Sequence, residues 1–254
     1  MRVLITGASM GIGEAFANVF AEHGHDLVLV ARSERRMENL AEKLRTKFKV
    51  AVDVIALDLS KMENIDTLVA RLQGQPIDCL VNNAGFGAAG EFTKTDWSRE
   101  HEMIELNISA LTYLTKIFAG QMKERRQGRI LNVASTAAFQ PGPRMAVYFA
   151  TKAYVLSFTE AVAHELKGSG VTLTALCPGP TSSNFVEAAQ ITTEKIFNSG
   201  TMPTAEEVAR YGYQSVMAGK TVAIHGWMNL VLAQSNRLTP RRWVRAITGW
   251  LLRA

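Results

Sequence analysis

The chain has 254 residues, 47% of them hydrophobic, two cysteines and a formal net charge of +5. That length is enough for one large α/β core, and two isolated cysteines exclude a disulfide-stapled scaffold. The charge excess is local: Arg237, Arg241, Arg242, Arg245 and Arg253 fall in the last 18 residues with no acid among them, leaving 23 basic against 23 acidic side chains before them. Nothing in this pattern calls for a nucleic-acid partner, which would need basic residues spread over a groove or face. No apolar run approaches the ~18 residues of a membrane span, and no charged-then-apolar leader precedes the first strand, so the expected setting is the cytoplasm.

In chain order, Arg2-Val3-Leu4-Ile5-Thr6 is an apolar strand running into Gly7, Gly11 and Gly13, after which Ala15, Phe16, Val19 and Phe20 repeat with a helical period. Strand, glycine turn and helix start together offer unpaired backbone N–H groups and the positive end of a helix dipole, which suits a nucleotide diphosphate. The spacing is G-x-x-x-G-x-G rather than G-x-G-x-x-G, and no Gly-Lys-Ser/Thr follows, which excludes a P-loop. Taken alone, such a turn also fits a plain strand-to-helix connector.

Asp26 to Ala31 is a continuous apolar run, the pattern of a strand covered on both faces, and it ends at Arg32. A charged helix is predicted from about Ser33 to Lys47, a strand from Val50 to Leu57, and a helix capped by Ser60 with Glu63 and ending near Gly74. Ile77 to Asn82 is the fourth strand. Helical segments follow between Asp96 and Arg126, then a strand from Arg129 to Ala134, a helix from about Val147 to Lys167 and a strand from Val171 to Leu176, stopped by Pro178-Gly179-Pro180. Residues 181 to 203 form a weakly patterned insert; Thr204 with Glu207 caps another helix, and Thr221 to Ile224 is the last strand. This alternation predicts a doubly wound, mainly parallel α/β sheet in a single domain, with ligands at the carboxyl ends of the strands.

Ser135 follows the fifth strand, and Tyr148 and Lys152 are four residues apart on the next helix, so phenol and ammonium share one face. A nearby cation favours the phenolate, which suits proton transfer. By itself the pair also fits a surface tyrosine and a solvated lysine. Tyr154, with Phe158 four residues on, is expected in the core. Cys79 and Cys177 are expected to be inert core residues, and Asn82 to tie strands together. His101-Glu102-Met103-Ile104-Glu105 lacks the second histidine of a zinc helix, and no metal site is expected.

The set as a whole, Thr6-Gly7-Ala8-Ser9-Met10-Gly11-Ile12-Gly13, Asp58-Leu59, Asn82-Asn83-Ala84-Gly85, Asn107, Ser135, Tyr148 with Lys152, and Pro178-Gly179, resembles the short-chain dehydrogenase/reductase family over roughly residues 1 to 225. The resemblance implies a Rossmann-type domain, set here at residues 1–238, with a cofactor half to about 134 and a catalytic half from 135; residues 239–254 read separately, from their spacing, as a basic amphipathic helix. It implies hydride transfer between a nicotinamide cofactor and a carbonyl or alcohol carbon. Tyr148 would be the general acid in reduction, Ser135 would hold the substrate oxygen, Lys152 would bind the ribose and lower the Tyr148 pKa, and Asn107 would hold a relay water. Gly7, Ser9, Met10, Gly11, Ile12 and Gly13 would form the pyrophosphate turn. Asp58 and Leu59 would line the adenine, Asn83, Ala84 and Gly85 the adenine ribose side, and Pro178, Gly179 and the hydroxyl of Ser183 the nicotinamide.

Arg32, with no carboxylate beside it in sequence, presents a fork of donors where a ribose 2′-phosphate would lie, so NADP(H) is the expected cofactor. Phe139 and Met145, with Phe185, Val186, Ile191, Ile196 and Phe197 of the insert, favour an apolar or acyl-bearing substrate and equally fit a lid packing on itself. Two other functions stay open: a cofactor-binding sensor without turnover, and an isomerase or dehydratase using the same Tyr and Lys. In the tail, Thr239 is placed to cap a helix starting at Pro240, with Trp243, Val244, Ile247, Trp250 and Leu251 at helical spacing. That face fits the protein's own core, a homo-oligomer contact or substrate-pocket cover, or peripheral contact with an anionic membrane, the membrane being the less favoured of the functional options.

Overall fold

The computed structural model describes residues 1–182, 202–236 and 238–252. Seven parallel strands make one sheet: β1 (Arg2–Thr6), β2 (Asp26–Ala31), β3 (Val52–Ala56), β4 (Cys79–Asn82), β5 (Gly128–Val133), β6 (Val171–Cys177) and β7 (Val222–Ile224), in the order β3-β2-β1-β4-β5-β6-β7. The order reverses between β1 and β4, and at such a switch the connections leave in opposite directions and open a crevice at the carboxyl ends.

Side-chain alternation along each strand explains the two layers. Val3, Ile5, Leu27, Leu29, Cys79, Val81, Leu131 and Val133 point to one face, and Leu4, Val28, Val30, Leu80 and Ile130 to the other. The first face is covered by α1 (Gly11–Glu22), α2 (Glu34–Phe48) and α7 (Ala205–Met217), through Phe16, Phe20, Met37, Leu44 and Val208. The second is covered by α3 (Met62–Arg71), α5 (Leu111–Glu124) and α6 (Ala146–Glu165), through Leu68, Phe118, Met122 and Val162. Each large side chain so buried contributes about 1.5–3 kcal/mol. Between β4 and α5 the chain makes α4 (Trp97–Ile104) and a π-helical segment, Glu105–Ala110; after β7 come α8 (Trp227–Ser235) and α9 (Arg241–Leu251).

Thr204 and Glu207 form the expected reciprocal capping box on α7. Ser60 and Glu63 do not: the Ser60 hydroxyl donates to Asp58 Oδ1 at 2.8 Å, and α3 begins one residue later with Lys61 at its N-cap. Thr239 likewise donates to the Ser235 carbonyl at 2.9 Å, leaving Pro240 as the N-cap of α9. Tyr154 is not in the core; it is 37% exposed, with its hydroxyl 3.0 Å from that of Thr112 and its ring stacked on Phe158. The predicted stripe on α9 divides. Val244 is buried with Thr248, whereas Trp243, Ile247 and Trp250 are each more than half exposed. Cys79 and Cys177 are buried free thiols, both pushed up to about 12 by burial. No helix among the described residues is long and apolar enough to cross a membrane.

Candidate active site

The parallel strands end at one rim, and the loops leaving β1 to β6 build the site. After β1, Gly7 turns the chain with φ +67°, a conformation L side chains rarely adopt, and Gly13 approaches so closely that an added Cβ would lie 2.1 Å from the Gly7 carbonyl oxygen. Thr6 and Asn83 brace this turn: the Thr6 hydroxyl accepts from Asn83 N and Ala84 N, both at 3.0 Å, while Asn83 Nδ2 donates to the carbonyls of Thr6 and Gly7 at 3.0 and 3.2 Å. Asn83 therefore shapes the pyrophosphate turn with its side chain. The N-cap of α1, Met10, supplies no capping side chain, so the first-turn amides beside Ser9, Gly11 and Ile12 keep no side-chain acceptor. A turn without a Cβ, held rigid and opening on uncapped amides, fits the diphosphate of a dinucleotide.

At the ends of the neighbouring strands the fit is partial. Asp58 Oδ1 accepts from the Ser60 amide and hydroxyl at 3.1 and 2.8 Å, and the Leu59 side chain is buried in the core, leaving its backbone to border an adenine. Arg32 is exposed beyond β2, but Glu102 of α4, distant in sequence, reaches it: Arg32 Nη1 lies 3.3 Å from Glu102 Oε1. The expectation of an arginine without a carboxylate nearby is therefore corrected. Ser183 lies outside the described residues, as do the apolar positions of the insert.

The catalytic candidates converge between β5, β6 and α6. Tyr148, Lys152 and Asn107 are buried at 8%, 6% and 1% exposure. The Tyr148 phenol faces Ser135, which pulls its pKa down, and the Ser135 Oγ accepts from Ala137 N at 3.1 Å. Pro178 carbonyl accepts from Thr136 N at 2.9 Å, which joins the two strand ends beside the serine. Lys152 Nζ donates to the Val133 carbonyl at 2.8 Å and lies 5.9 Å from the Tyr148 ring centroid. Burial sets both charges: it pushes the phenol up to about 12 against a smaller opposing pull from Ser135, and brings the ammonium down to about 8. The expected lowering of the Tyr148 pKa by Lys152 is thus overturned in this structure, because desolvation dominates and the ammonium is committed to a carbonyl.

Asn107 sits in the π-helical segment, a geometry that aims one side chain out of the regular helix phase. Its Nδ2 donates to Phe86 O and Thr151 Oγ1 at 3.0 and 3.1 Å, and its Oδ1 accepts from Phe86 N at 3.2 Å. With Phe86 N taking one Oδ1 lone pair, the other is left for a water. Thr151 passes the tie on, donating to the Tyr148 carbonyl at 2.7 Å. Gly85 keeps the floor clear, since a Cβ there would meet Asn107 Oδ1 at 2.8 Å. Thr6 and Thr151 are the functional residues that motif reading undervalued; each is adjacent to a motif residue, Gly7 and Lys152. Asn82 ties strands as expected, donating to Asn132 at 2.9 Å and Thr115 at 3.1 Å. Among the described residues no cluster of His, Cys, Asp and Glu is arranged to hold a metal.

The short chain dehydrogenase family matches residues 1–194, and the chain belongs to that family. It is an oxidoreductase of the short-chain dehydrogenase/reductase type, built to use a nicotinamide cofactor on alcohol or carbonyl groups. Among its relatives, hydroxysteroid dehydrogenase-like protein 1 of Gallus gallus is 30% identical over 85% of this chain, a match spanning 66% of that protein's length. A solved short-chain dehydrogenase from Sphingobium yanoikuyae in complex with NADPH is 33% identical, with a TM-score of 0.83 over 93% of this chain and 94% of that one. Another, from Burkholderia phymatum, is in complex with NAD; it is 25% identical, with a TM-score of 0.82 over 92% of this chain and 91% of that one.

Proposed function

We propose that this enzyme reduces an apolar ketone or aldehyde with NADPH, or runs the reverse oxidation. The observation that carries the reading is the buried Tyr148 phenol facing Ser135 beside a buried Lys152. The cofactor, when bound, supplies the hydride. Tyr148 stays protonated over the working pH range and gives its proton to the forming alkoxide, while Ser135 holds the same oxygen. Lys152 has two further N–H donors for a ribose diol, and Asn107 with Thr151 keeps Tyr148 on station from behind. A sensor without turnover would need no buried acid aligned with a hydroxyl, and that alignment favours catalysis over the sensor.

The choice of NADP(H) over NAD(H) is supported by Arg32 at the end of β2. Comparing kcat/KM for NADPH and NADH with a panel of ketones tests both parts: the expected result is turnover with a clear NADPH preference, and a preference for NADH would overturn the cofactor assignment.

We also propose that copies of the chain meet through the outer faces of α8 and α9. Trp227, Met228, Val231 and Leu232 of α8 and Trp243 and Ile247 of α9 are each more than half exposed, many large apolar side chains for two short surface helices. At 3.6 residues per turn Arg241 and Arg245 lie roughly opposite Trp243 and Ile247, so a lipid surface receiving the tryptophans would not meet those arginines. Sedimentation should show an oligomer that Trp243→Glu dissociates; unchanged mass, or liposome binding by the wild type, would count against this reading.

A further inference from the structure

Two loops meet beside Tyr148. The first begins at Phe86, whose backbone is held by the Asn107 side chain, and the second leads into α6; Gly90 N of the first donates to the Arg144 carbonyl of the second at 2.8 Å. Phe86 and Ala89 of the first loop and Met145 of the second pack in one apolar cluster with Tyr148, Phe149 and Leu252.

Met145 N donates to the Gly142 carbonyl at 3.0 Å, which closes a four-residue turn with Pro143 and Arg144 at its centre, and Arg144 has φ +70°. Proline cannot take a positive φ, so this is a type II turn, whose third position belongs to glycine or asparagine. An arginine there is held against the backbone preference of L residues. What it adds to the turn is a guanidinium, carried on an exposed residue next to the buried Met145.

A second guanidinium lies on the side of the first loop: Arg99 of α4 sits over the Phe86 ring, 5.3 Å from its centroid. The four carboxylates between Phe86 and Ile104 are all engaged, Glu91 with Lys94 at 2.8 Å, Asp96 with Ser98 N at 3.1 Å, Glu100 with Thr95 at 2.7 Å and Glu102 with Arg32 at 3.3 Å. Residues 136–147 contain no acid, so Arg144 is the whole charge of its loop. Apolar surroundings edged by guanidinium groups fit a molecule whose body is apolar and whose far end is an anion.

We propose that Arg144, assisted by Arg99, selects carbonyl substrates that end in an anion, oxo acids with an apolar chain. This rests on the reading of Tyr148 as the proton donor, which fixes the carbonyl end. A guanidinium offers a carboxylate two parallel N–H donors, a fork that a glutamine does not reproduce.

The test takes one aryl alkyl ketone as a free terminal carboxylate and as its methyl ester, with the same carbonyl and the same chain, and measures kcat/KM with NADPH in wild type, Arg144→Gln, Arg144→Gly, Arg99→Gln and Lys94→Gln. The wild type should prefer the acid ~5-fold, the range of a partly exposed ion pair, and the preference should shrink as salt is raised. Both Arg144 variants should abolish it through KM for the acid, with NADPH dissociation constants unmoved, and Arg99→Gln should weaken it less. Lys94→Gln, whose native ammonium already pairs with Glu91, should keep the wild-type ratio. Glycine suits the turn, so Arg144→Gly still reads the ratio should Arg144→Gln fail to fold. Equal use of acid and ester by the wild type, or an unchanged ratio in both Arg144 variants, would overturn the anion site while leaving the enzyme reading intact. A loss of NADPH affinity in those variants would assign Arg144 to the cofactor instead, and an equal fall in Lys94→Gln would reduce the effect to a general attraction of charge. No turnover by the wild type with any carbonyl would overturn the enzyme reading itself.

Discussion

The rim of the sheet and the C-terminal helix pair are held by different kinds of bond, and the difference shows in how each tolerates change. At the rim, Thr6, Asn107, Thr151 and Lys152 are buried and Asn83 is half-buried, and their polar partners lie within 2.7–3.2 Å. Losing one partner strands the other without water, at about 1–3 kcal/mol each. The helices α8 and α9 are held largely by apolar contact, with Asn236 joined to Gln140 at long range. Contact of that kind is graded, and it can be retuned one methylene at a time. Geometry is fixed where the contacts are polar, and packing is adjustable where they are apolar.

The largest expected effect breaks the rim at its reacting group. Tyr148→Phe keeps the ring in its apolar cluster and removes the acid, so kcat should fall at least ~10²-fold with the NADPH dissociation constant unchanged. Near-normal turnover would remove Tyr148 from the mechanism.

The next sharpens the electrostatic side of the comparison. Because burial brings the Lys152 pKa down to about 8, the ammonium is charged below that value and neutral above it. If a charged Lys152 holds the cofactor ribose, kcat/KM for reduction should be level in the neutral range and fall above about pH 8, approaching tenfold per pH unit. Tyr148, pushed up to about 12, stays protonated throughout and adds no break of its own. Lys152→Arg, slower overall, should lose the alkaline fall, since a guanidinium stays charged. A persistent fall near pH 8 in that variant would assign the titration elsewhere.

How much could be read from residues alone follows the same division. Strands with both faces covered announce themselves as apolar runs, and the turn of Gly7 to Gly13 declares its own backbone, so the sheet and the glycine turn were legible. The Thr204–Glu207 cap was legible because both partners are local, whereas the Ser60 cap failed because Asp58, equally local, took its hydroxyl. The π-helical segment around Asn107 has no periodic signature; it is imposed by Phe86 and Thr151 from elsewhere in the chain. On α9 helical spacing was visible, but only packing tells Val244, turned inward, from Trp243, turned outward. Leu252 carries no local signal at all, since its partners lie about a hundred residues or more upstream.

The smallest expected effect concerns Glu102, whose proximity to Arg32 depends wholly on how α4 docks. The two side chains are 70% and 38% exposed, so their ion pair is worth at most ~1 kcal/mol. A 2′-phosphate taking Arg32 would have to displace this carboxylate and would then lie beside a like charge. Glu102 therefore opposes the cofactor that Arg32 attracts. Glu102→Gln removes the charge and keeps the shape, and NADPH should bind about 2- to 5-fold more tightly, with NADH unaffected. The gain should shrink in high salt, because screening at 1 M ionic strength acts over about 3 Å. Weaker NADPH binding in Glu102→Gln would mean that the carboxylate orients Arg32 for the phosphate instead of competing with it, and tighter binding of both cofactors alike would detach Glu102 from the 2′-position.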